Sequence, residues 1–369
     1  MADLKAQYQS IKREIDSAIS AVMESCAFTL GPEVATLEEK VAAYCGSSYG
    51  IGVNSGTDAI ALAFAAIGIG PGDEVITTPF TFVATTEVIV HLGARPVYVD
   101  IDPVTFNLNP DLIEERITPR TKAILPVHLY GQPADVVRIC EIAARYGLKV
   151  IFDGAQAIGA EAHGKPIGAY GDAVTLSFFP TKNLGAAGDG GMVLTNDPQI
   201  ADKVRYLRFH GSGGTYSYKY VGWCSRLHSI QAAVLLAKLP YLNEWTAKRR
   251  LNAETYGRLL SGLDIILPVE KPENKHVYHQ YTIRHPMRDA LRQYLADHEV
   301  ASGVYYPSPL HLEEAYAYLG YKQGDFPEAE RACREVLSLP IYPELTEDQL
   351  TFVASTIRSF CESNYRQKN

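Results

Sequence analysis

The stretch AVTLSFFPTKNLGAAGDGGMVLT, residues 173–195, holds two short apolar runs separated by one lysine, Lys182, and four glycines, Gly185, Gly188, Gly190 and Gly191. AVTLSFF and GGMVLT have the length and the β-branched content of buried strands. The glycines serve either as a tight turn before MVLT or as room for backbone to approach a ligand. Lys182 has two readings as well. It is a solvated turn residue, as most lysines are, or a desolvated amine used as a nucleophile.

Upstream, from about residue 35, helix-patterned and strand-patterned segments alternate. Helical ATLEEKVAAYCG leads to YGIGV, helical GTDAIALAFAAIG to DEVITTP, and helical TFVATTEVIVHLG to RPVYVDI. Helical PDLIEERI then precedes TKAILPVHLYG, and helical PADVVRICEIAARYG precedes LKVIFDGA. Short strands with helical returns predict an α/β fold: a large domain with a mainly parallel sheet sandwiched by helices. After Arg226 the chain reads as a long amphipathic helix bridging to a smaller C-terminal α+β domain, in which IILPV, VYHQYTIR and VASGVYYP read as strands. The expected division is residues 1–245 and 246–369.

Composition narrows the function classes. The 369 residues are 47% hydrophobic and 21% charged, with a formal net charge of −8, which is ordinary for a globular protein. Acidic balance argues against nucleic-acid or anionic-membrane surfaces, and the longest apolar run, AIALAFAAIGIG, is too short to span a bilayer. The six cysteines show neither a C-x-x-C pair nor regular spacing, so no metal site or disulfide framework is expected. The polar N-terminal segment carries no signal-peptide pattern, and a reducing, cytoplasmic setting is expected.

In such sheets ligands sit beyond the carboxyl ends of the strands. After YGIGV, Gly56 and Thr57 open a helix whose free amides suit a phosphate, or simply form a capped helix start. Asp153 ends the apolar run LKVIF, and a buried carboxylate needs a cationic or strongly donating partner, such as the protonated nitrogen of a pyridoxal ring, unless it only caps a helix. Gln156 can reach the same ring's phenolic oxygen, and Ser177 the phosphate. Lys182, among Phe178, Phe179 and Pro180, would then be the neutral amine that a Schiff base requires. Phe82 is either a ring-stacking aromatic or a core residue.

At this point the chain resembles a known family. NSGTDAI, PFTFVAT, PVHLYG, FDGAQA, SFFPTKNLGAAGDGG, RFHG, SRLHSIQAA and YYPSPLHLEEAYAYLGY occur in the order and spacing of pyridoxal-phosphate-dependent nucleotide-sugar aminotransferases of the DegT/StrS type, from about residue 3 to 355. The resemblance implies the aspartate-aminotransferase fold and pyridoxal 5'-phosphate held covalently as an aldimine on Lys182, with pyridoxamine phosphate as the intermediate. It implies Lys182 as general acid/base, Asp153 at the pyridine nitrogen, Gln156 at the ring oxygen, Phe82 on the ring face, and Gly56, Thr57 and Ser177 at the phosphate. It further implies glutamate and a keto nucleotide sugar as substrates, an amino sugar for glycan or secondary-metabolite synthesis as product, and a homodimer whose GWCSRLHSIQ segment enters the partner's site. Two departures stand out: Cys224 where relatives often carry an asparagine that reaches the partner's phosphate, and Gly154 where many carry alanine.

Tyr216, Tyr218 and Tyr220, in HGSGGTYSYKYVGW, together with His311, are candidate sugar-nucleotide contacts; the alternatives are a subunit interface for the tyrosines and a structural role for the histidine. A dehydratase relative would carry histidine in place of Lys182, so the lysine favours transamination. A non-catalytic regulator is the rival from another class, and a P-loop hydrolase is excluded by the absence of its motif. A 3-keto UDP-linked sugar is preferred over a 4-keto or thymidine-linked one.

Overall fold

Seven strands form one sheet: β1 (Tyr49–Val53), β2 (Glu74–Thr77), β3 (Arg95–Tyr98), β4 (Thr121–Ile124), β5 (Lys149–Asp153), β6 (Ala173–Ser177) and β7 (Gly191–Thr195). Their spatial order in this computed structural model, which describes residues 3–368, is β1-β7-β6-β5-β4-β2-β3. Only β7 runs against its neighbours among the described strands of this sheet. The reason is local. β6 and β7 are joined directly by residues 178–190, with no crossover helix, and such a connection returns the chain antiparallel. The lysine and glycines of the opening stretch are that connection, so they lie at the carboxyl edge of β6.

The strands alternate between two cores. Phe152, Val174, Leu176, Met192 and Leu194 face one side, packed on the helices Pro32–Cys45, Val136–Tyr146 and Ser229–Lys238. Ile151, Ala173 and Val193 face the other, against Gly56–Ile67, Ala84–His91 and Pro198–Arg208. Each large apolar side chain fully buried this way contributes about 1.5–3 kcal/mol. The expected α/β class, a mainly parallel sheet sandwiched by helices, is what the chain forms.

β1 is an edge strand, and its outer side is covered by side chains. Gly52 donates its N–H to Glu38 Oε1 at 2.7 Å and accepts from Arg208 Nη1 at 2.8 Å, while Arg208 also pairs with Glu38. These bonds replace the ladder that the edge lacks.

The C-terminal part has its own core, built on the antiparallel pair β8 (Tyr281–Arg284) and β9 (Val336–Leu339) and on the helices Leu242–Leu259, Arg288–Asp297 and Glu347–Lys368. An aromatic cluster that includes Phe80, Phe106, Tyr130 and Phe326 joins it to the carboxyl edge of the sheet. The expected boundary at 245/246 falls inside the helix Leu242–Leu259; residues 1, 2 and 369 of the expected units lie outside the described residues.

Several local expectations need correction. The bridging helix is interrupted by a tighter turn at Leu239–Tyr241, where Pro240 lacks the N–H that a continuous helix would use. PDLIEERI forms two short 3-10 turns rather than a helix. IILPV and VASGVYYP contribute only single bridges, Ile266 with Arg284 and Gly303 with Ser338.

Candidate active site

A cavity of about 830 Å³ opens at the carboxyl edge of the sheet. Gly56, Thr57, Phe82, Asp153, Gln156, Ser177 and Lys182 all line it. Topology explains the convergence: Asp153 and Ser177 are the last residues of the adjacent parallel strands β5 and β6, Gly56 and Thr57 open the helix after β1, and Lys182 lies on the loop leaving β6.

At one wall the helix Gly56–Ile67 begins. The Ser55 hydroxyl accepts from Asp58 N–H at 3.0 Å, and Ser225 Oγ donates to Asp58 Oδ2 at 2.6 Å, which steadies the first turn. Helix geometry leaves the Gly56 and Thr57 amides without intrahelical acceptors, at the positive end of the helix. Gly56 packs closely on Ser177; a Cβ there would lie 2.7 Å from Ser177 Cβ. Glycine is needed at Gly191 for a similar reason, since a Cβ would collide with Ser55 O. Gly185 and Gly191 therefore let backbone pack on backbone, against Pro180 and Ser55, whereas Gly190 faces the Leu227 and Phe178 side chains and lines the cavity itself.

Asp153 is 5% exposed. Its Oδ1 accepts from Ala155 N–H at 3.0 Å and its Oδ2 from the Thr85 hydroxyl at 3.1 Å. Among the described residues it has no ion-pair partner. Burial raises its pKa; the Ala155 amide, the Lys182 charge and the Thr85 hydroxyl oppose that rise.

Lys182 experiences the complementary field. Burial lowers its amine to about 8, and the Asp153 carboxylate resists the loss of the proton. Of the two aromatics before Lys182, Phe178 turns into the core, whereas Phe179 is half exposed at the cavity wall. Asn183 fixes the next residue in place, donating to Val277 O at 3.1 Å, with its Oδ1 3.1 Å from His279 Nδ1. His279 lines the cavity, and burial and the nearby Lys182 charge lower its pKa well below the usual value, which favours the neutral ring.

Gln156 Oε1 accepts from Tyr130 N–H at 2.6 Å, and its amide nitrogen donates to Tyr306 Oη at 3.3 Å, leaving one N–H to offer the cavity. Phe82 is 55% exposed and lies 6.3 Å from the Tyr306 ring, so it is not a core residue.

Four candidates are not brought to this cavity within the chain. Tyr216, 88% exposed, and Tyr218 belong to the short hairpin 212–218, and Tyr220 packs on Tyr206 at 5.8 Å. His311 is buried, with Nε2 3.2 Å from Glu330 Oε1 and its ring against Phe326, a structural setting. Cys224 is exposed and accepts from Arg226 Nη2 at 3.0 Å.

Sequence reasoning did not single out Thr85, Tyr306, His279 or Arg249, all of which line the cavity or hold its residues. Thr85 was within reach, three residues after Phe82. The other three come from the C-terminal part; Arg249 and His279 carry no local pattern, and Tyr306 lies in YYPSPLHLEEAYAYLGY, where no role was assigned to it.

The site fits a phosphorylated pyridine. It offers an unpaired buried carboxylate for a ring nitrogen, free helix amides and a hydroxyl for a dianion, an exposed aromatic for a ring face, and a lysine amine of lowered pKa.

Comparison with known proteins agrees in fold and in length. Residues 9–358 match the DegT/DnrJ/EryC1/StrS aminotransferase family. The chain is 53% identical to a pleiotropic regulatory protein of Geobacillus stearothermophilus, over 98% of each chain. It is 46% identical to a UDP-N-acetyl-3-dehydro-alpha-D-glucosamine 3-aminotransferase of Acidithiobacillus ferrooxidans, over 97% of this chain and 96% of that one. Among solved structures, S. venezuelae DesV in complex with a ketimine intermediate is 44% identical, covers 98% of both chains and superposes with a TM-score of 0.96. The chain belongs to the DegT/DnrJ/EryC1/StrS aminotransferase family.

Proposed function

We propose that the protein uses pyridoxal 5'-phosphate to move an amino group from glutamate to the keto group of a hexose carried on a nucleoside diphosphate, with a 3-keto UDP-linked sugar as the preferred acceptor. The observation that carries the reading is the single cavity in which a buried unpaired carboxylate, a helix N-terminus and a lysine amine of lowered pKa converge. The 3-keto UDP preference rests on the relative named as a 3-dehydro-glucosamine aminotransferase.

When bound, the cofactor supplies an electron sink that lets an amine and a carbonyl exchange nitrogen. Asp153 would hold its ring nitrogen, Gln156 its ring oxygen, Phe82 its face, and Gly56, Thr57 and Ser177 its phosphate. Lys182 would attach it and, once released, would move protons. Its amine takes the proton from glutamate Cα in the first half-reaction and delivers one to the sugar carbon that gains nitrogen in the second. Lowering the amine to about 8 makes its neutral form far more available near neutral pH than that of an ordinary lysine.

Under this reading residues 1–245 carry the cofactor and 246–369 form the smaller unit. Two chains pair with the 222–231 segment reaching the partner's site, and the enzyme works in the cytoplasm. The six free cysteines accord with that setting, and no helix among the described residues is long and apolar enough to cross a membrane.

A regulatory reading without turnover is favoured by one observation, the name of the Geobacillus relative. One experiment separates the two. Purified protein loaded with pyridoxal 5'-phosphate should show a visible band that glutamate bleaches and a keto-sugar nucleotide restores; silence toward both supports regulation. A panel of C3- and C4-keto UDP- and dTDP-sugars then reads the acceptor, and restoration by 4-keto sugars alone rejects the 3-keto preference.

A further inference from the structure

Lys238 closes the helix Ser229–Lys238 and is 7% exposed. Its Nζ donates to Gly185 O at 2.7 Å, and it is the sole donor to that carbonyl among the described residues. No carboxylate of the described residues lies within ion-pair distance; Glu344 acts only from farther away, and burial lowers the amine to about 8. Packing alone does not explain a cation here, because methionine would fill similar space without the cost of burying a charge. That cost is offset in part by one charge-assisted bond, and the bond goes to the loop that carries Lys182.

The turn from Lys182 to Gly185 is tight. A Cβ on Gly185 would lie 2.2 Å from Pro180 O. Lys182 N–H donates to Phe179 O at 2.8 Å and Ala186 N–H to Phe178 O at 2.7 Å, so backbone bonds close the chain on either side of the turn. Asn183 ties one flank of it to Val277 and His279, and Lys238 ties the other. The same helix grips the loop a second time, where Gln231 Oε1 accepts from Ala187 N–H at 2.8 Å; Gln231 and Lys238 are two turns apart and share a helix face. Lys238 does not line the cavity, so it reaches the chemistry only through the loop. We propose that Lys238 is a positioning residue for Lys182: by holding Gly185 O it fixes the turn, and with it the place of the Lys182 amine beside Asp153. The proposal rests on the aminotransferase reading for the use of that amine and adds what keeps it in register. Register matters because a misplacement of about 1 Å at a reacting group can cost about 100-fold in rate.

The test compares wild type with Lys238→Met, which keeps the length and loses the donor, and with Lys238→Arg, which keeps a donor. In cofactor-free protein, hydrogen exchange in peptides covering 178–190 should quicken about tenfold or more in Lys238→Met, the effect of losing one charge-assisted hydrogen bond, with peptides elsewhere unchanged. In protein loaded with pyridoxal 5'-phosphate, bleaching by saturating glutamate should slow by a similar factor at an unchanged half-saturating concentration, as when only the reacting group is displaced. Lys238→Arg should restore both, and the urea midpoint of Lys238→Met should be no lower than that of wild type, since a buried charge has been removed. Unchanged exchange at 178–190, exchange that quickens throughout the protein, equal losses in both variants, or a Lys238→Met protein that fails to fold each overturns the assignment. If wild type bleaches with neither glutamate nor the amino-sugar nucleotide, the aminotransferase reading itself fails. Loop exchange, and the rate at which borohydride traps the cofactor on Lys182, then still decide the role of Lys238.

Discussion

The Thr85 hydroxyl donates to Asp153 Oδ2 at 3.1 Å, joining the helix Ala84–His91 to the last residue of β5 across 68 positions of sequence. Thr81 Oγ1 lies 3.0 Å from Thr85 Oγ1, so the hydroxyl that orients the carboxylate is itself oriented. With Ala155 N–H on the other oxygen, the carboxylate is aimed while still lacking a cation.

Thr85→Val keeps the shape and removes the donor. A hydrogen bond to a charged group contributes about 1.5–3 kcal/mol, so cofactor affinity should fall about tenfold or more. Equilibrium dialysis of pyridoxal 5'-phosphate against both proteins measures this; equal affinities would show that Thr85 does not tune Asp153.

Lys182→Ala should abolish the reducible visible band and all transamination; in wild type, borohydride should trap the cofactor on Lys182. A Lys182→Ala protein that still transaminates removes the residue from the mechanism.

The lysine also makes a pH prediction for cofactor-free protein. Unfolded, it keeps its proton up to the ordinary value of 10.5; folded, it keeps it only up to about 8. Between those values the unfolded chain binds the extra proton, so stability rises with pH across the window, and the burial penalty is fully present below it. Lys182→Met should therefore be more stable than wild type at pH 7, with the gap narrowing from pH 8 to 10.5. Urea unfolding at several pH values checks it, and a gap independent of pH would contradict it.

Arg208→Ala leaves Glu38 without its cation and strips one bond from the outer side of β1. Deleting one partner of a fully buried pair costs about 3–5 kcal/mol; this pair is only partly buried, so a smaller loss should appear as a lower denaturation midpoint.

Gly191→Ala forces a Cβ into Ser55 O and should cost on the order of 2–4 kcal/mol. Because Ser55 precedes the Gly56 and Thr57 amides proposed to hold the phosphate, cofactor affinity should drop as well, which the same dialysis reads.

The α/β architecture was legible because strand ends announce themselves: an apolar run followed by a small or polar residue located Gly56, Asp153 and Ser177. Lys182 was legible for the same reason. Arg249 and His279 were not, since nothing near them in the chain marks a cavity wall, and Tyr306 stood in YYPSPLHLEEAYAYLGY with no assigned role; the place of all three depends on how the C-terminal part seats on the sheet edge. Pro240 in the bridging helix was visible, and its effect there was underweighted against the strong apolar periodicity around it. His311 shows the opposite failure, since its sequence neighbourhood suggested a ligand contact while packing against Phe326 and Glu330 gave it a structural place.

Joining β6 to β7 on the cavity side makes the interval from Ser177 to Lys182 a gauge of fixed length. No helix intervenes to absorb an added or missing residue, and the Phe178–Gly190 and Lys182–Phe179 backbone bonds pin the gauge at both ends. Substitutions within 178–181 can change its lining, but insertions or deletions change its calibration, shifting the Lys182 amine away from the Ser177 hydroxyl even in a protein that folds normally.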